Sequence, residues 1–435
     1  MKRILFVDDE PNVLDGVRRM LHSTRDRWEL EFVKSGQDAL AACHEREFDA
    51  VVSDLRMPGM DGADLLAQIR TRFPTTARLI LSGYSDLTLT ARAVPVAYRV
   101  LPKPCGPKDL KEALERVFTQ QDVLRTPALQ EVAARLGRLP SLSLTYEALD
   151  RALLDPFVCV ARIARIIERD AAMSASILRL VNSGLFGLAA RATNFEGVLN
   201  CLGLDTIRSL ALYVETSHLF QPGRGVPDNF CQAVRERSHR AARIASVLPL
   251  NRSMKEDTVV AVLLQDLGML ALAASMPDEL CSILARVSEQ DIPMMLVEEE
   301  ILGVSHAEIG AHLLNLWGIN NTVVEAVAHH HRPARIKHER PDCSSAIYLA
   351  RLLEESLGNN PDDTNGDHLP EPDRLQLTAL NMQDDFVRFH SLAKRALQAG
   401  ETQKMSHLQD SREVTEKTVF FEKKAMSISS TSGTP

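Results

Sequence analysis

The chain lacks the features that mark several large classes of protein. No stretch of 18 or more residues is both uncharged and apolar, so no transmembrane helix is expected. The opening MKRILFVDDE offers only Ile4 to Val7 as an apolar run, too short for the core of a secretion signal. Seven cysteines, at 43, 105, 159, 201, 231, 281 and 343, are dispersed, odd in number and never spaced as CxxC. That excludes a disulfide framework or a zinc knuckle and predicts a reducing, cytoplasmic setting. Basic excess is missing too. Acids and bases number 18 and 18 over residues 1–119, then 26 and 23 over 120–353. Neither segment has the positive surplus of a dedicated nucleic-acid binder, and no basic recognition helix is visible.

What is present is ordinary globular material, with 45% hydrophobic and 25% charged residues. A length of 435 residues suits two or three domains. The net charge of −8 is concentrated: residues 354–385 carry 9 acids against 1 base. Residues 1–119 alternate apolar runs (4–7, 30–33, 50–53, 78–82 and 98–101) with stretches of helical spacing such as Leu14, Val17 and Leu21. Five such repeats predict an α/β fold, a doubly wound (βα)5 parallel sheet with helices on both faces. From about 120 the spacing becomes helical almost throughout, which predicts a separate all-α domain. The boundaries read as 1–119, a linker over 120–127, the helical domain over 128–353, and an acidic flexible linker over 354–373. A helix can follow across 374–399, and 400–435 reads as a largely disordered tail.

Chemistry concentrates at the carboxyl ends of the predicted strands, where such sheets carry their functional loops. Asp8 and Asp9 follow the first strand and Asp54 the third. Three crowded carboxylates repel one another, and Mg²⁺, an oxygen-seeking dication, relieves that repulsion. Ser82 ends the fourth strand and can donate to a phosphoryl oxygen; Lys103, after the fifth, supplies positive charge. Any one of these residues alone could be a solvated turn residue. Five of them at the ends of four strands suit attack by a carboxylate on a phosphoryl donor.

The segments FVDDE, SDLRMPGMDG, LILSGYSD and LPKPCG resemble the receiver domain of bacterial response regulators across 1–119. The resemblance implies that a partner histidine kinase or phosphotransfer protein phosphorylates Asp54. It also implies Mg²⁺ bound by Asp8, Asp9, Asp54 and the backbone carbonyl of Arg56. Many receivers carry Tyr or Phe three residues before the lysine; here Val100 stands there, and the nearest aromatic is Tyr98. Arg56 and Tyr84 are bulky enough to shield an acyl phosphate, which predicts slow autodephosphorylation.

In the helical part, RLPSL (138–142), ERDAAMSASILRLVNSGLFG (168–187) and NCLGLDTIRSLAL (200–212) resemble the HD-related output domain, HDOD. Asn182, Ser183, Gly184 and Gly187 read as a helix-ending turn, and Leu202-Gly203 before Asp205 as a break and restart. The metal-dependent HD relatives need a His, a His-Asp pair and a later Asp. His239 fits the first position, but Gln265 precedes Asp266, and Ala350 and Arg351 occupy the last. His306, His330 and His331 remain. An amide replaces imidazole poorly as a ligand, so no metal and no catalysis are expected in this domain. The function implied is a two-component response regulator with a non-catalytic HDOD signalling output. The alternative is a degenerate HD-type phosphodiesterase acting on a cyclic dinucleotide or related phosphoester. No membrane partner is expected; the downstream protein is not identified, and a homodimer stays open.

Overall fold

The computed structural model describes residues 1–24, 26–73, 75–82, 97, 99–124, 126–136, 142–153, 155, 158–188, 192–290, 292–336, 342–359 and 369–399. Tyr84, Tyr98, the first four residues of RLPSL and the expected tail over 400–435 lie outside them.

The N-terminal domain is a five-stranded parallel sheet. Its strands are β1 (Lys2–Val7), β2 (Trp28–Val33), β3 (Ala50–Asp54), β4 (Ala77–Ser82) and β5 (Arg99–Pro102), in the order β2-β1-β3-β4-β5. Alternate residues of one strand enter opposite cores, as the two-residue period of a strand requires. Ile4, Phe6, Ala50 and Val52 pack beneath helices Pro11–Met20 and Pro107–Leu124, with Leu14, Leu110, Leu114 and Phe118. Leu5, Val7, Val51 and Ile80 pack beneath helices Gly36–Glu45 and Gly62–Arg72, with Leu40, Leu65 and Ile69. Both helices of that second pair are capped at their start: Ser35 accepts from Asp38 N and Asp61 from Asp64 N. The turn after β3 depends on Gly62. A Cβ there would sit 2.2 Å from the Asp54 carbonyl oxygen, so only glycine lets the helix close against the strand end.

The rest is helical, around one continuous core. The stretch 256–274, apolar at helical spacing, folds as parts of two helices, Arg252–Leu264 and Leu267–Ser275, broken at Gln265 and Asp266. In the first turn of the second helix a Cβ on Gly268 would lie 2.0 Å from the His306 carbonyl oxygen, so the backbones meet directly there. By composition Arg252–Ser275 is apolar enough to cross a membrane, but 89% of its most apolar window is buried inside the protein. The helix-ending turn expected around Asn182 is present. Its side chain clasps the following loop, donating to Ala192 O (3.0 Å) and accepting from Ala192 N (2.8 Å). Helix Asn321–Ala328 ends before the three consecutive histidines, leaving His329–His331 in a turn.

Two expected linkers are corrected. Residues 120–124 continue helix Pro107–Leu124, and the Gln121 amide donates to Asp49 O and Thr75 O, at 3.0 and 3.1 Å. Residues 354–359 are likewise the end of a helix, Cys343–Asn359. Their acids are used rather than solvated: buried Glu354 pairs with Arg240, and Glu355 with Arg351. Beyond 368 the chain returns to the core through Leu369, helix Glu371–Ala379 and a helix over 383–399, burying Leu377, Phe386 and Ala393. Composition misled here because an acid that is itself buried against an arginine behaves as a structural group.

The two domains meet along helix Pro107–Leu124. Arg116, on the side away from the sheet, spans Glu325 (3.0 Å) and Asp342 (2.6 Å) of the helical domain.

Candidate functional site

Asp8 and Asp54 sit at the carboxyl ends of neighbouring parallel strands, and both are buried. Asp9 follows, half-buried. Lys103, at the end of β5, reaches across to both: its Nζ is 3.0 Å from Asp8 Oδ2 and forms a close ion pair with Asp54 Oδ1. The other oxygens are held from the backbone. Glu10 N donates to Asp8 Oδ1 (2.9 Å) and Arg56 N to Asp54 Oδ2 (3.0 Å). Ser82 is buried at the end of β4, and its carbonyl accepts from Lys103 N (2.7 Å), tying the last two strand ends together.

The electrostatics follow from crowding. Burial pushes the Asp54 carboxyl above the ordinary aspartate range, and the Asp8 charge adds to this, while Lys103 works against both. Burial alone would lower Lys103, but the two carboxylates overcome it and hold its ammonium above the usual value. The donor set, all carboxylate and carbonyl oxygen, is what Mg²⁺ prefers. Asp8, Asp9, Asp54, Ser82 and Lys103 therefore occupy one edge. Arg56 is exposed beside it, and Val100 lies half-buried on β5.

The helical domain holds a second polar group. Asp266, buried at the helix break, pairs with Arg237 (3.0 Å) and accepts from Ser238 (3.3 Å) through Oδ2, while its Oδ1 lies 3.7 Å from His306 Nε2. Burial alone would raise Asp266, but the Arg237 guanidinium holds it below the ordinary range. His306 is fully buried; Glu298 Oε2 accepts from its Nδ1 (2.6 Å) and its backbone N (2.8 Å). His331 Nε2 lies 3.0 Å from His306 Nε2, and His330 Nδ1 donates to Val327 O (2.8 Å). Desolvation keeps both imidazoles neutral, lowering His330 to about 3 and His331 well below its usual value.

Of the expected HD positions, the structure thus gathers Asp266, His306, His330 and His331. His239 is elsewhere, 2.8 Å from the Tyr213 hydroxyl in a cleft of about 440 Å³ with Arg179, Arg235 and Arg243. Gln265 is buried with its Oε1 unpaired. Arg351 is taken by Glu355 (2.8 Å) and Asp373 (2.9 Å). Sequence reasoning missed Glu298 and Arg237. Spacing does not single out Glu298 among the three consecutive glutamates 298–300, since Glu299 stands at helical spacing from Met295, Leu296 and Leu302.

Comparison with known proteins gives two family matches: the response regulator receiver domain over residues 4–115 and the HDOD domain over 139–333. The DNA-binding transcriptional regulator NtrC of Proteus hauseri is 29% identical over 154 residues, 34% of this chain and 32% of that protein. A solved signal receiver domain of an HD domain-containing protein from Pseudomonas fluorescens is 34% identical. It covers 28% of this chain and 91% of its own, at a TM-score of 0.27. An HDOD domain protein of unknown function from Geobacter sulfurreducens is 18% identical, covering 62% of this chain and 97% of its own, at a TM-score of 0.43. The matched stretches span less than half the length of the first curated relatives.

Proposed function

This chain is a response regulator receiver domain joined to an HDOD domain, and we propose that phosphorylation of Asp54 by a histidine kinase or phosphotransfer protein controls a non-catalytic HDOD output. The observation that carries this reading is the convergence of Asp8, Asp54 and Lys103 at adjacent strand ends. In the proposed step an Asp54 oxygen attacks phosphorus, the bond to the donor's histidine nitrogen breaks, and that nitrogen leaves with the electron pair. Lys103 holds Asp54 in place beforehand and afterwards faces the new phosphoryl oxygens; the Ser82 hydroxyl donates to another. Asp8, Asp9, Asp54 and the Arg56 carbonyl are the ligands for Mg²⁺. When bound, the ion offsets the carboxylates' mutual repulsion and the charge of the transferring group.

The output reading rests on Arg351 and Gln265. A cation and an amide stand where an HD-type hydrolase carries ligands, which counts against the phosphodiesterase alternative. Signal passage is a shift in how the domains pack, through the helix that carries Arg116. The test is phosphorylation of the purified full chain by a small phosphodonor with Mg²⁺, read on a phosphate-affinity gel and followed by affinity capture. Wild type should take one phosphoryl group and change its set of captured partners, while Asp54→Ala does neither. Equal labelling of Asp54→Ala, or metal-dependent phosphodiester hydrolysis by the chain, overturns the reading.

A further inference from the structure

We propose that the cleft beside Tyr213 in the helical domain binds a small phosphomonoester, with Arg179, Arg235 and Arg243 holding its phosphoryl group. None of Asp266, His306, His330 and His331 lines this cleft, so it is distinct from the histidine group at the helix break.

Three helices build it. Arg179 comes from helix Ala171–Leu180, Tyr213 from helix Phe195–Leu219, and Arg235, His239 and Arg243 from helix Phe230–Val247. The last three stand at i, i+4 and i+8, so one face of that helix turns two guanidiniums and an imidazole into the cleft.

The charge there is uncompensated. Elsewhere in the helical domain the arginines that leave solvent meet an acid: Arg208 meets Asp150, Arg332 meets Glu299 and Arg351 meets Asp373. Arg235 and Arg243 are half-buried too, yet among the described residues no carboxylate pairs with them or with Arg179. Burial pushes the Arg243 guanidinium below its ordinary value, with no acid to offset it, and Arg235 Nη1 is buried without an acceptor. A solvated arginine face carries neither mark. The one acid in the lining, Glu236, accepts from Gln232 Nε2 (3.2 Å). The Tyr213 phenol, pushed up to about 12 by burial, stays neutral and does not oppose an anion. Partly desolvated cations left unpaired are costly, and a bound anion relieves the cost.

The anion's class follows from number and size. A phosphomonoester offers three acceptor oxygens and nearly two negative charges, against two oxygens and one charge for a carboxylate. Three planar guanidinium forks suit the former. The cleft holds about 440 Å³, within the range of small-molecule sites and far more than one phosphoryl group fills. Leu180, Leu185 and Val214 line the remainder, which gives an organic portion an apolar seat.

The experiment is calorimetric titration of the unphosphorylated full chain, in chelator so that the receiver pocket is without Mg²⁺. The probes are AMP, ribose 5-phosphate and adenosine. One equivalent of AMP and of ribose 5-phosphate should bind, more weakly as salt rises, and adenosine should not. Tighter binding of AMP assigns the seat to a nucleotide base; equal binding assigns it to the sugar phosphate. Arg235→Gln and Arg243→Gln should each weaken binding about tenfold or more, since each removes a charge-assisted hydrogen bond. Arg165→Gln, on an exposed helix face outside the cleft, should change nothing. No binding of either phosphate by the intact chain at millimolar concentration overturns the proposal. So does binding of adenosine as tight as that of AMP, or a loss in Arg165→Gln equal to that in the cleft variants. Because the first two outcomes are read on the intact chain, a variant that fails to fold does not spare the proposal.

Discussion

The carboxylate pocket at the sheet edge and the imidazole group among the helices are both clusters of buried titratable residues, built on opposite logics. In the receiver, like charges are brought together and only partly neutralised. Lys103 pairs with two acids at once, and Asp54 is left with a carboxyl that burial and Asp8 push upward. Such a group is poised to react, because a phosphoryl transfer or a cation relieves it. In the helical domain Arg237 is matched with Asp266 and Arg351 with Asp373, and burial keeps His330 and His331 neutral.

The pH response should separate the two regions most strongly. His330 and His331 have folded values below their unfolded one, so the stability they contribute is present above about pH 6.5 and is lost as pH falls towards their folded values. The loss grows as pH falls further below that point, because each buried imidazole resists taking up a proton in the folded chain. Asp54 has the opposite sign: its raised value favours the fold at low pH, and that contribution is lost as pH rises through it. Thermal melts of the metal-free chain between pH 7 and 5, followed by hydrogen exchange, should show the helical domain loosening first. Earlier loss of the sheet would break the contrast.

Arg116 joins the two regions, and Arg116→Met should have the next largest effect. Removing it leaves Glu325, with a side chain only 10% exposed, without this partner. Intact burial would make the cost about 3–5 kcal/mol. Arg116 itself is 17% exposed, so about 1–3 kcal/mol is expected, as looser docking between two domains that stay folded. Limited proteolysis and denaturant titration measure it; an unchanged midpoint and digestion pattern would show that the contact carries no coupling.

The smallest expected effect is on Arg56→Ala. Its exposed side chain stands beside Asp54, and its loss should shorten the phosphoryl half-life by less than about tenfold while labelling is retained. A phosphate-release time course checks this, and equal half-lives would remove Arg56 from the shielding role.

The carboxylate pocket was almost fully legible in the sequence. Each of its residues ends or directly follows a strand, and parallel strands align their carboxyl ends. The linkers and the imidazole group were not. Glu354 and Asp373 look like solvated acids until Arg240 and Arg351 approach from other helices. His239 looked like the first ligand of an HD set, yet the helical turn that points Arg237 and Ser238 at Asp266 points His239 at Tyr213.

The sequence by itself determined the parallel sheet and the gathering of Asp8, Asp54 and Lys103 at its carboxyl edge, because strand period and connection rules act locally. Only the tertiary structure decided that one helical stretch breaks at Asp266, that Glu298 is the buried member of three glutamates, and that Arg116 links the domains. Those outcomes depend on which helix ends meet, and the meeting is set by close backbone approaches such as Gly268 against His306. Helical spacing tells which face of a helix is buried, but not which partner buries it.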